Sequence, residues 1–219
     1  MHGKRPAWRQ TRVCVTVRPS VRRDPRGADH ERPSRHFDRA AEPLVMSGYH
    51  EHGPAAPTTL AAWISAMSRP QPSESGRLPS HSPTCAGCGT ENPAGLALQV
   101  DATEAGVRCV HRFDHRQEGA PGITHGGLVA AAFDDLFGFL LYRVGELAVT
   151  RSLTVEYLRP VLLGTEYEFT ARVRDHAGRR LRVDAEAVDQ VGDKVATAHA
   201  TFIVVDLQHF EQGMATTGP

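Results

Sequence analysis

The segment that most constrains the fold is a long apolar stretch, predicted to form a helix over Gly126–Val144. Between Leu128 and Leu141 nearly every residue is apolar, and the exceptions are Gly138 and two adjacent acids, Asp134 and Asp135. A helix that is apolar around most of its circumference is a buried helix. Carboxylates inside a core are costly unless charges or hydrogen bonds compensate them. The two acids therefore need an explanation beyond packing.

Strand candidates lie on both sides of this helix. Two precede it, "LALQVDA" and "GVRCVHRFD", and four follow, "AVTRSLTVEYL", "TEYEFTARVRD", "RRLRVDAEAVD" and "KVATAHATFIVVD". Most connections are short, which forces neighbouring strands to be antiparallel. In "RRLRVDAEAVD", apolar residues alternate with charged ones, so one face of the sheet meets water. The order β-β-α-β-β-β-β predicts an α+β domain, with an antiparallel sheet of about six strands around one central helix.

Composition divides the chain into four parts. Residues 1–57 are rich in Arg and Pro and have no hydrophobic period, so they are predicted to be a disordered tail. Residues 58–84 are predicted to hold a short amphipathic helix, because Leu60 is followed by apolar residues at helical spacing, and then a linker. Residues 85–207 are predicted to be the folded domain, and 208–219 a flexible tail.

The basic start of the chain allows several interpretations. Residues 1–43 carry 11 Lys and Arg residues against 5 acids. A transit peptide is disfavoured by the acids, whereas Met46 and Met67 leave open a start that is annotated too far upstream. A dedicated nucleic-acid partner is not expected, since Lys+Arg and Asp+Glu balance at 25 each over the whole chain. No apolar run is long enough to predict a membrane helix, so the expected location is the cytoplasm.

The four cysteines include one closely spaced pair, Cys85 and Cys88. A structural zinc site usually has four ligands, and the only further candidate nearby in the sequence is His81. A redox pair would open a helix after a strand, whereas this pair lies in the loop sequence "HSPTCAGCGTENPAGL". We therefore expect a turn with two reduced thiols and no metal, with a metal site as the alternative.

The start of the central helix carries the sequence His125, Gly126, Gly127. The first amides of a helix have no acceptor within the helix, and the helix dipole adds positive charge there. Glycine lets a ligand approach these N–H groups closely. The motif thus indicates an anion site or an oxyanion hole, although a tight turn into the helix would also explain the two glycines.

Asp134 favours the functional interpretation. It lies eight residues beyond Gly126, about 12 Å along the helix, so it cannot reach a substrate held at Gly126 of the same chain. It could reach a substrate held by a second copy whose helix runs antiparallel alongside. Burial would raise the pKa of this carboxyl and make it a stronger base. Asp135, about 100° further round the helix, points elsewhere, towards a solvated spot or an ion pair.

Three stretches carry a resemblance to a known family. "ITHGGLVAAAFDDLFG", "VTRSLTVEYLRPVLLG" and "GRRLRVDAEAVDQVGDKVATAHATFIVV" closely resemble the hotdog-fold acyl-CoA thioesterases of the phenylacetate-pathway (PaaI-like) type, and "CAGCGTENPAGLAL" is similar to their lead-in. The resemblance covers about residues 85–206. It implies a hotdog fold, hydrolysis of acyl-CoA to a free acid and coenzyme A, and a homodimer or tetramer with sites at the dimer interface.

The resemblance also implies roles for individual residues. The Gly126 N–H would polarise the thioester carbonyl, and Asp134 of the other subunit would act as general base or nucleophile. His125 would orient the loop or contact the thioester, and Thr150 would hold water or the acid, unless it is an ordinary strand residue. For substrate binding the resemblance points to Gly127 and, weakly, to Arg159, which would meet coenzyme A phosphates.

One position departs from the family pattern. Several members place Asn or Gln six residues before the His, and here that residue is Gly119, with Gln117 and Glu118 close by. Either a neighbouring side chain takes the place of this Asn or Gln, or the water is held in a different way. The reaction itself needs only an oxyanion hole and a base, so no cofactor is expected.

Other functions have less support in the sequence. No G-x-S-x-G motif is present, as a serine hydrolase would require. Hotdog hydratases place a His five residues after an Asp, and no Asp in this chain has that neighbour. The remaining alternative is a non-catalytic hotdog module that binds acyl-CoA, which the presence of Asp134 disfavours.

Overall fold

The computed structural model describes residues 15–19, 55–67 and 76–206, and for 15–19 only the backbone. The elements in chain order are β1 (Val15–Pro19), α1 (Leu60–Met67), β2 (Gly76–Arg77), β3 (Val100–Thr103), β4 (Gly106–Arg112), a 3-10 turn (His115–Gln117), β5 (Glu118–Ala120), β6 (Ile123–Thr124), α2 (Gly126–Val144), β7 (Ala148–Tyr157), β8 (Glu166–Ala177), β9 (Arg180–Val188) and β10 (Lys194–Val204). The central helix α2 has the bounds predicted from the sequence.

The main sheet has eight strands, in the order β1-β7-β10-β9-β8-β4-β3-β2. Seven of them pair antiparallel, and β1 pairs parallel to the edge strand β7. The six predicted strands are all present, and two further short strands join the same sheet. The two additions, β1 and β2, have five and two residues, too few to show a reliable hydrophobic period. β1 lies within the segment 1–57 that was predicted to be disordered.

Helix α2 packs against one face of this sheet and forms the centre of the core. Its ten buried residues are spread over most of its circumference, as the sequence predicted. The ring of Phe133 lies 5.2 Å from that of Phe169 on β8, and the ring of Phe137 lies 6.4 Å from that of Phe202 on β10. The helix ends at Gly145, whose left-handed conformation (φ 72°) suits glycine.

The sheet presents alternating faces to the helix and to solvent. On β9, Leu181, Val183, Ala185 and Ala187 are buried. On β10, buried Ala196, Ala198 and Ala200 form a row of small side chains on the face that turns inward. Both patterns are those that the sequence predicted from period-two alternation.

The short helix α1 lies within the segment 58–84, for which the sequence predicts an amphipathic helix. Trp63, Ile64 and Ala66 pack against the core, and α1 contacts α2. In the part of the chain that the structure describes, no helix is long and apolar enough to cross a membrane. The predictions for most of 1–57, for 68–75 in the linker and for the tail after 206 fall outside the described residues.

Candidate active site

The position of each candidate residue follows from the relative direction of α2 and β7. The chain leaves the helix at Val144 and returns along β7 in the opposite direction after a three-residue connection. The start of β7 therefore lies beside the middle of α2, and the end of β7 lies beside the helix N-terminus. This arrangement creates two separate groups of polar residues.

The first group contains Asp134 and Thr150. The Thr150 hydroxyl donates a hydrogen bond of 3.0 Å to Oδ1 of Asp134. Burial raises the pKa of the Asp134 carboxyl, and the Thr150 hydrogen bond and the charge of His81 oppose this increase only in part. Both residues line a cavity of about 840 Å³, which α1 borders through Leu60 and Trp63. A partly buried carboxyl with a raised pKa in a cavity is suited to act as a general base.

The second group lies at the N-terminus of α2. His125 is the N-cap residue, and its Nδ1 accepts a 3.0 Å hydrogen bond from the Gly127 N–H. The Gly127 amide is therefore already engaged, whereas the Gly126 N–H finds no acceptor among the described residues. The hydroxyl of Tyr157 donates to the Gly126 carbonyl over 2.5 Å. A helix N-terminus with a bare N–H can hold a developing negative charge.

A cavity of about 360 Å³ opens at this helix terminus and is lined by Gly126, Tyr157 and Arg159, among others. Arg159 is half-exposed and forms an ion pair with Asp193. The guanidinium thus lies at the same end of the domain as Gly126, already paired with a carboxylate.

The structure brings Asp134 and Thr150 together and keeps them apart from His125, Gly126, Gly127 and Arg159. The cavity at Asp134 and the cavity at Gly126 share no lining residue. The eight residues between Gly126 and Asp134 correspond to about 12 Å along the helix. One chain therefore holds the Asp134 carboxyl in one cavity and the Gly126 N–H at another.

Gly119, the departure from the family pattern, is held against the N-cap of α2. A Cβ added at this position would lie 2.6 Å from the Cα of His125, so no side chain fits there without a backbone shift. Its neighbours are also engaged. Oε1 of buried Gln117 accepts from the Asp114 N–H at 2.7 Å, and Glu118 accepts from the Gly122 N–H at 2.7 Å. Both side chains thus accept hydrogen bonds from nearby backbone amides.

Sequence reasoning missed two features of this region. The first is Tyr157, which could have been found by noting that β7 returns antiparallel to α2. The second is a buried cluster around Asp135, in which Nδ1 of His81 lies 3.1 Å from Oδ1 of the carboxyl. The Asp135 side chain is 9% exposed, which confirms an ion-pair partner and excludes a solvated spot. The unexplained Gly138 in a core helix was the available signal, because His81 lies against it.

The pKa values of this cluster reflect burial and close contact. Burial lowers the pKa of His81, but hydrogen bonds to Asp135 and Cys85 outweigh it and raise the pKa to about 9. Burial raises the pKa of Asp135, and His81 opposes that change. These groups share one environment, and no hydrogen bond joins them to the Asp134 carboxyl among the described residues, although the charge of His81 acts on it.

Comparisons with known proteins agree with this architecture. Residues 121–196 match the family model described as the Thioesterase superfamily. Acyl-coenzyme A thioesterase THEM4 of Rattus norvegicus is 23% identical over 111 residues, which are 51% of this chain and 47% of the relative. The chain thus spans about half the length of this curated relative.

A solved structure shows the same fold, and a second one gives a weaker match. A crystal structure of a thioesterase superfamily protein has a TM-score of 0.52 at 21% identity and covers 54% of this chain and 62% of its own. The E. coli PaaI protein from the phenylacetic acid degradation operon has a TM-score of 0.47 at 23% identity, over 49% of this chain and 83% of its own. The family match and the first of these two structures show that the chain has the hotdog fold, and its resemblance to the thioesterase superfamily is confirmed over residues 121–196.

Proposed function

We propose that this protein is an acyl-CoA thioesterase whose sites are shared between two copies of the chain. The observation that carries the proposal is Asp134, a largely buried carboxyl that Thr150 holds at the wall of an 840 Å³ cavity. That volume is within the range of about 300–1,000 Å³ that is usual for small-molecule sites. The superfamily match and the rat acyl-CoA thioesterase support the reaction class.

The proposed reaction needs only groups that the chain contains. Asp134 accepts a proton from a water molecule while the water oxygen attacks the thioester carbonyl carbon. The Gly126 N–H stabilises the resulting oxyanion. The C–S bond then breaks, and the coenzyme A sulfur leaves and takes up the proton. Direct attack by the Asp134 carboxylate, with water cleaving the resulting anhydride, uses the same groups. Neither route requires a cofactor.

The sharing of sites follows from the distance between these groups. Asp134 and Gly126 of one chain lie about 12 Å apart along α2. A second copy with its helix antiparallel would bring its Gly126 towards this Asp134, and two-fold symmetry would create two such sites. In this arrangement His125 fixes the Gly127 amide and the helix entry, and Arg159 lies where coenzyme A phosphates could reach it.

Free-thiol release from a panel of aliphatic and aromatic acyl-CoAs tests the proposal. We expect turnover by the native full-length chain and a loss of about 10²-fold or more in Asp134→Asn, the scale of losing a general base. The control is Asp175→Asn, which removes a half-exposed carboxylate on β8 that pairs with Arg182. Binding of acyl-CoA by native protein without any turnover would instead identify a non-catalytic acyl-CoA-binding module.

A further inference from the structure

Four side chains from two distant parts of the sequence converge on one point, at which Cys88 is buried and the other three are partly buried. His81, Cys85 and Cys88 come from the loop before β3, and Asp135 comes from the middle of α2. One donor atom from each residue lies within 4.8 Å of the donor atoms of the other three. This cluster, His81–Cys85–Cys88–Asp135, combines two soft sulfur ligands with an imidazole and a carboxylate.

Three of the six distances between donor atoms are close to those of a tetrahedral metal site, and the other three do not exceed 4.8 Å. Bonds of about 2.3 Å from zinc to sulfur and about 2.0–2.2 Å to nitrogen or oxygen place the ligand atoms roughly 3.3–3.8 Å apart. Nδ1 of His81 lies 3.1 Å from Oδ1 of Asp135 and 3.3 Å from Sγ of Cys88. Sγ of Cys85 lies 3.4 Å from the same carboxylate oxygen. These three pairs would need adjustments of only a few tenths of an ångström to admit an ion, and no pair would need more than about 1 Å.

The backbone around the cluster is shaped to allow this convergence. A Cβ at Gly87 would lie 2.2 Å from Cγ of Asp135, so only glycine lets the loop approach the helix so closely. A Cβ at Gly138 would lie 2.9 Å from Cε1 of His81, which explains a glycine inside the core helix. Glycine therefore occupies one close contact point on the loop, at Gly87, and another on α2, at Gly138.

The surroundings suit a thiolate ligand and a cation. The backbone N–H of His81 donates to Sγ of Cys88 at 3.2 Å, a contact that stabilises a sulfur ligand. Oδ2 of Asp135 is buried and has no hydrogen-bond partner among the residues that the structure describes. A buried carboxylate oxygen without a partner calls for an unseen ion or water.

We propose that His81, Cys85, Cys88 and Asp135 bind one structural zinc ion that fastens the loop before β3 to helix α2. Two sulfur ligands and an imidazole favour zinc over magnesium or calcium, which prefer oxygen ligands. Four protein ligands leave no open coordination position, as expected of a structural site. Binding would displace the thiol protons of Cys85 and Cys88 to solvent and leave both sulfurs as thiolates.

The site explains why the core helix carries two acids. Asp135 would hold the ion, while its neighbour Asp134 faces the cavity of the proposed active site. His81, Cys85 and Asp135 line that same cavity. The ion would therefore fix one wall of the cavity and contribute no group to the reaction.

Metal analysis of the full-length chain, purified under reducing conditions without an affinity tag, tests the proposal. We expect about one zinc per chain by elemental analysis, and at least a tenfold loss of affinity in Cys85→Ser/Cys88→Ser and in Asp135→Asn. The controls are Asp134→Asn, which changes the adjacent acid, and Cys109→Ala, which removes a buried thiol outside the cluster. Both controls should keep the metal.

A second measurement on native protein guards against variants that do not fold. After removal of zinc with a chelator, Co²⁺ should produce the visible bands of a tetrahedral site and a thiolate-to-metal charge-transfer band, and zinc should abolish both. Re-addition of zinc should also raise the melting temperature. A reduced native chain that holds no zinc, binds none and gives no Co²⁺–thiolate band would overturn the proposal, as would a Cys85–Cys88 disulfide that persists under reductant.

Discussion

Adjacent residues on a helix can belong to different chemical sites. Asp134 and Asp135 are separated by about 100° around α2, so their side chains enter different surroundings. Asp134 meets the hydroxyl of Thr150 on β7, whereas Asp135 meets His81 and Cys85 from the loop before β3. Burial raises the pKa of both carboxyls. Because both carboxyls are affected by burial in the same direction, we expect the residues that each one contacts, and not the extent of burial, to determine its role.

A proline at position 126 would isolate the contribution of one N–H group. Gly126 is the first residue of α2, where proline is well tolerated, and the preceding His125 has φ −61° and ψ 124°, a conformation that suits a residue before proline. We expect Gly126→Pro to lower kcat for thioester hydrolysis by about 10²–10³-fold, since the oxyanion donor is lost.

The matched control for this change is Gly126→Ala, which keeps the N–H. The added Cβ would lie 3.4 Å from the ring of Tyr157, an ordinary contact distance. Circular dichroism should show both variants folded, and the alanine variant should keep most of the activity. Equal activity of the proline variant and the native protein would exclude the Gly126 N–H as the oxyanion donor.

Thr150 allows a test of how the proposed base is held. Its hydroxyl donates to Oδ1 of Asp134 at 3.0 Å. Thr150→Val keeps the shape but loses that hydrogen bond to a charged group, so we expect kcat to fall roughly 10–100-fold. Thr150→Ser restores the hydroxyl and should recover most of the rate in the same thiol-release assay. If serine and valine behave alike, Thr150 acts only through packing.

At the scale of elements, the antiparallel return of β7 along α2 determines the layout of the site. It places Thr150 beside Asp134 and Tyr157 beside Gly126. The sequence predicted the bounds of α2 because an apolar stretch of that length with Gly145 at its end has few alternatives. It did not predict the partner of Asp135, because His81 and Asp135 are 54 residues apart and no periodicity links them.

Strand β4 contains a partly buried histidine, His111, whose titration should affect stability. Burial lowers the pKa of His111 from 6.5 to about 4, although Asp114 opposes this. Between those values the unfolded chain binds a proton that the folded chain does not. The contribution of neutral His111 to the free energy of unfolding is therefore fully present above about pH 6.5. It is lost as the pH falls towards 4, and this loss is at most about 3 kcal/mol.

Urea unfolding at several pH values between 7 and 4 measures this effect. His111→Gln should show a flatter dependence of the free energy of unfolding on pH than the native chain. His115→Gln removes a histidine whose side chain is 88% exposed and should leave the slope unchanged. If the free energy of unfolding depended on pH in the same way for the native protein and for His111→Gln, His111 would not be the cause of the pH dependence.

At the scale of the whole molecule, a single chain keeps Asp134 and Gly126, the two groups of the proposed site, in separate cavities. The cavity at Asp134 is bordered by α1, and the cavity at Gly126 lies beyond the far end of β7. The sequence spacing already separated the two groups by about 12 Å. The presence of β1 on the outer edge of β7 was not predictable, since five residues within an Arg-rich and Pro-rich segment carry no usable pattern.

Mixed dimers would test whether Asp134 of one chain and Gly126 of the other chain form one active site. Asp134→Asn and Gly126→Pro each inactivate a different half, so in a mixed dimer one of the two shared sites contains both native groups. With random pairing of equal amounts, half of the dimers are mixed and total activity should reach about a quarter of native. Co-expressed, differently tagged chains purified through both tags would supply the mixed dimer itself, with about half the native activity per dimer. If Asp134 and Gly126 acted within one chain, both sites of the mixed dimer would be defective, and its activity would stay at the level of the single variants.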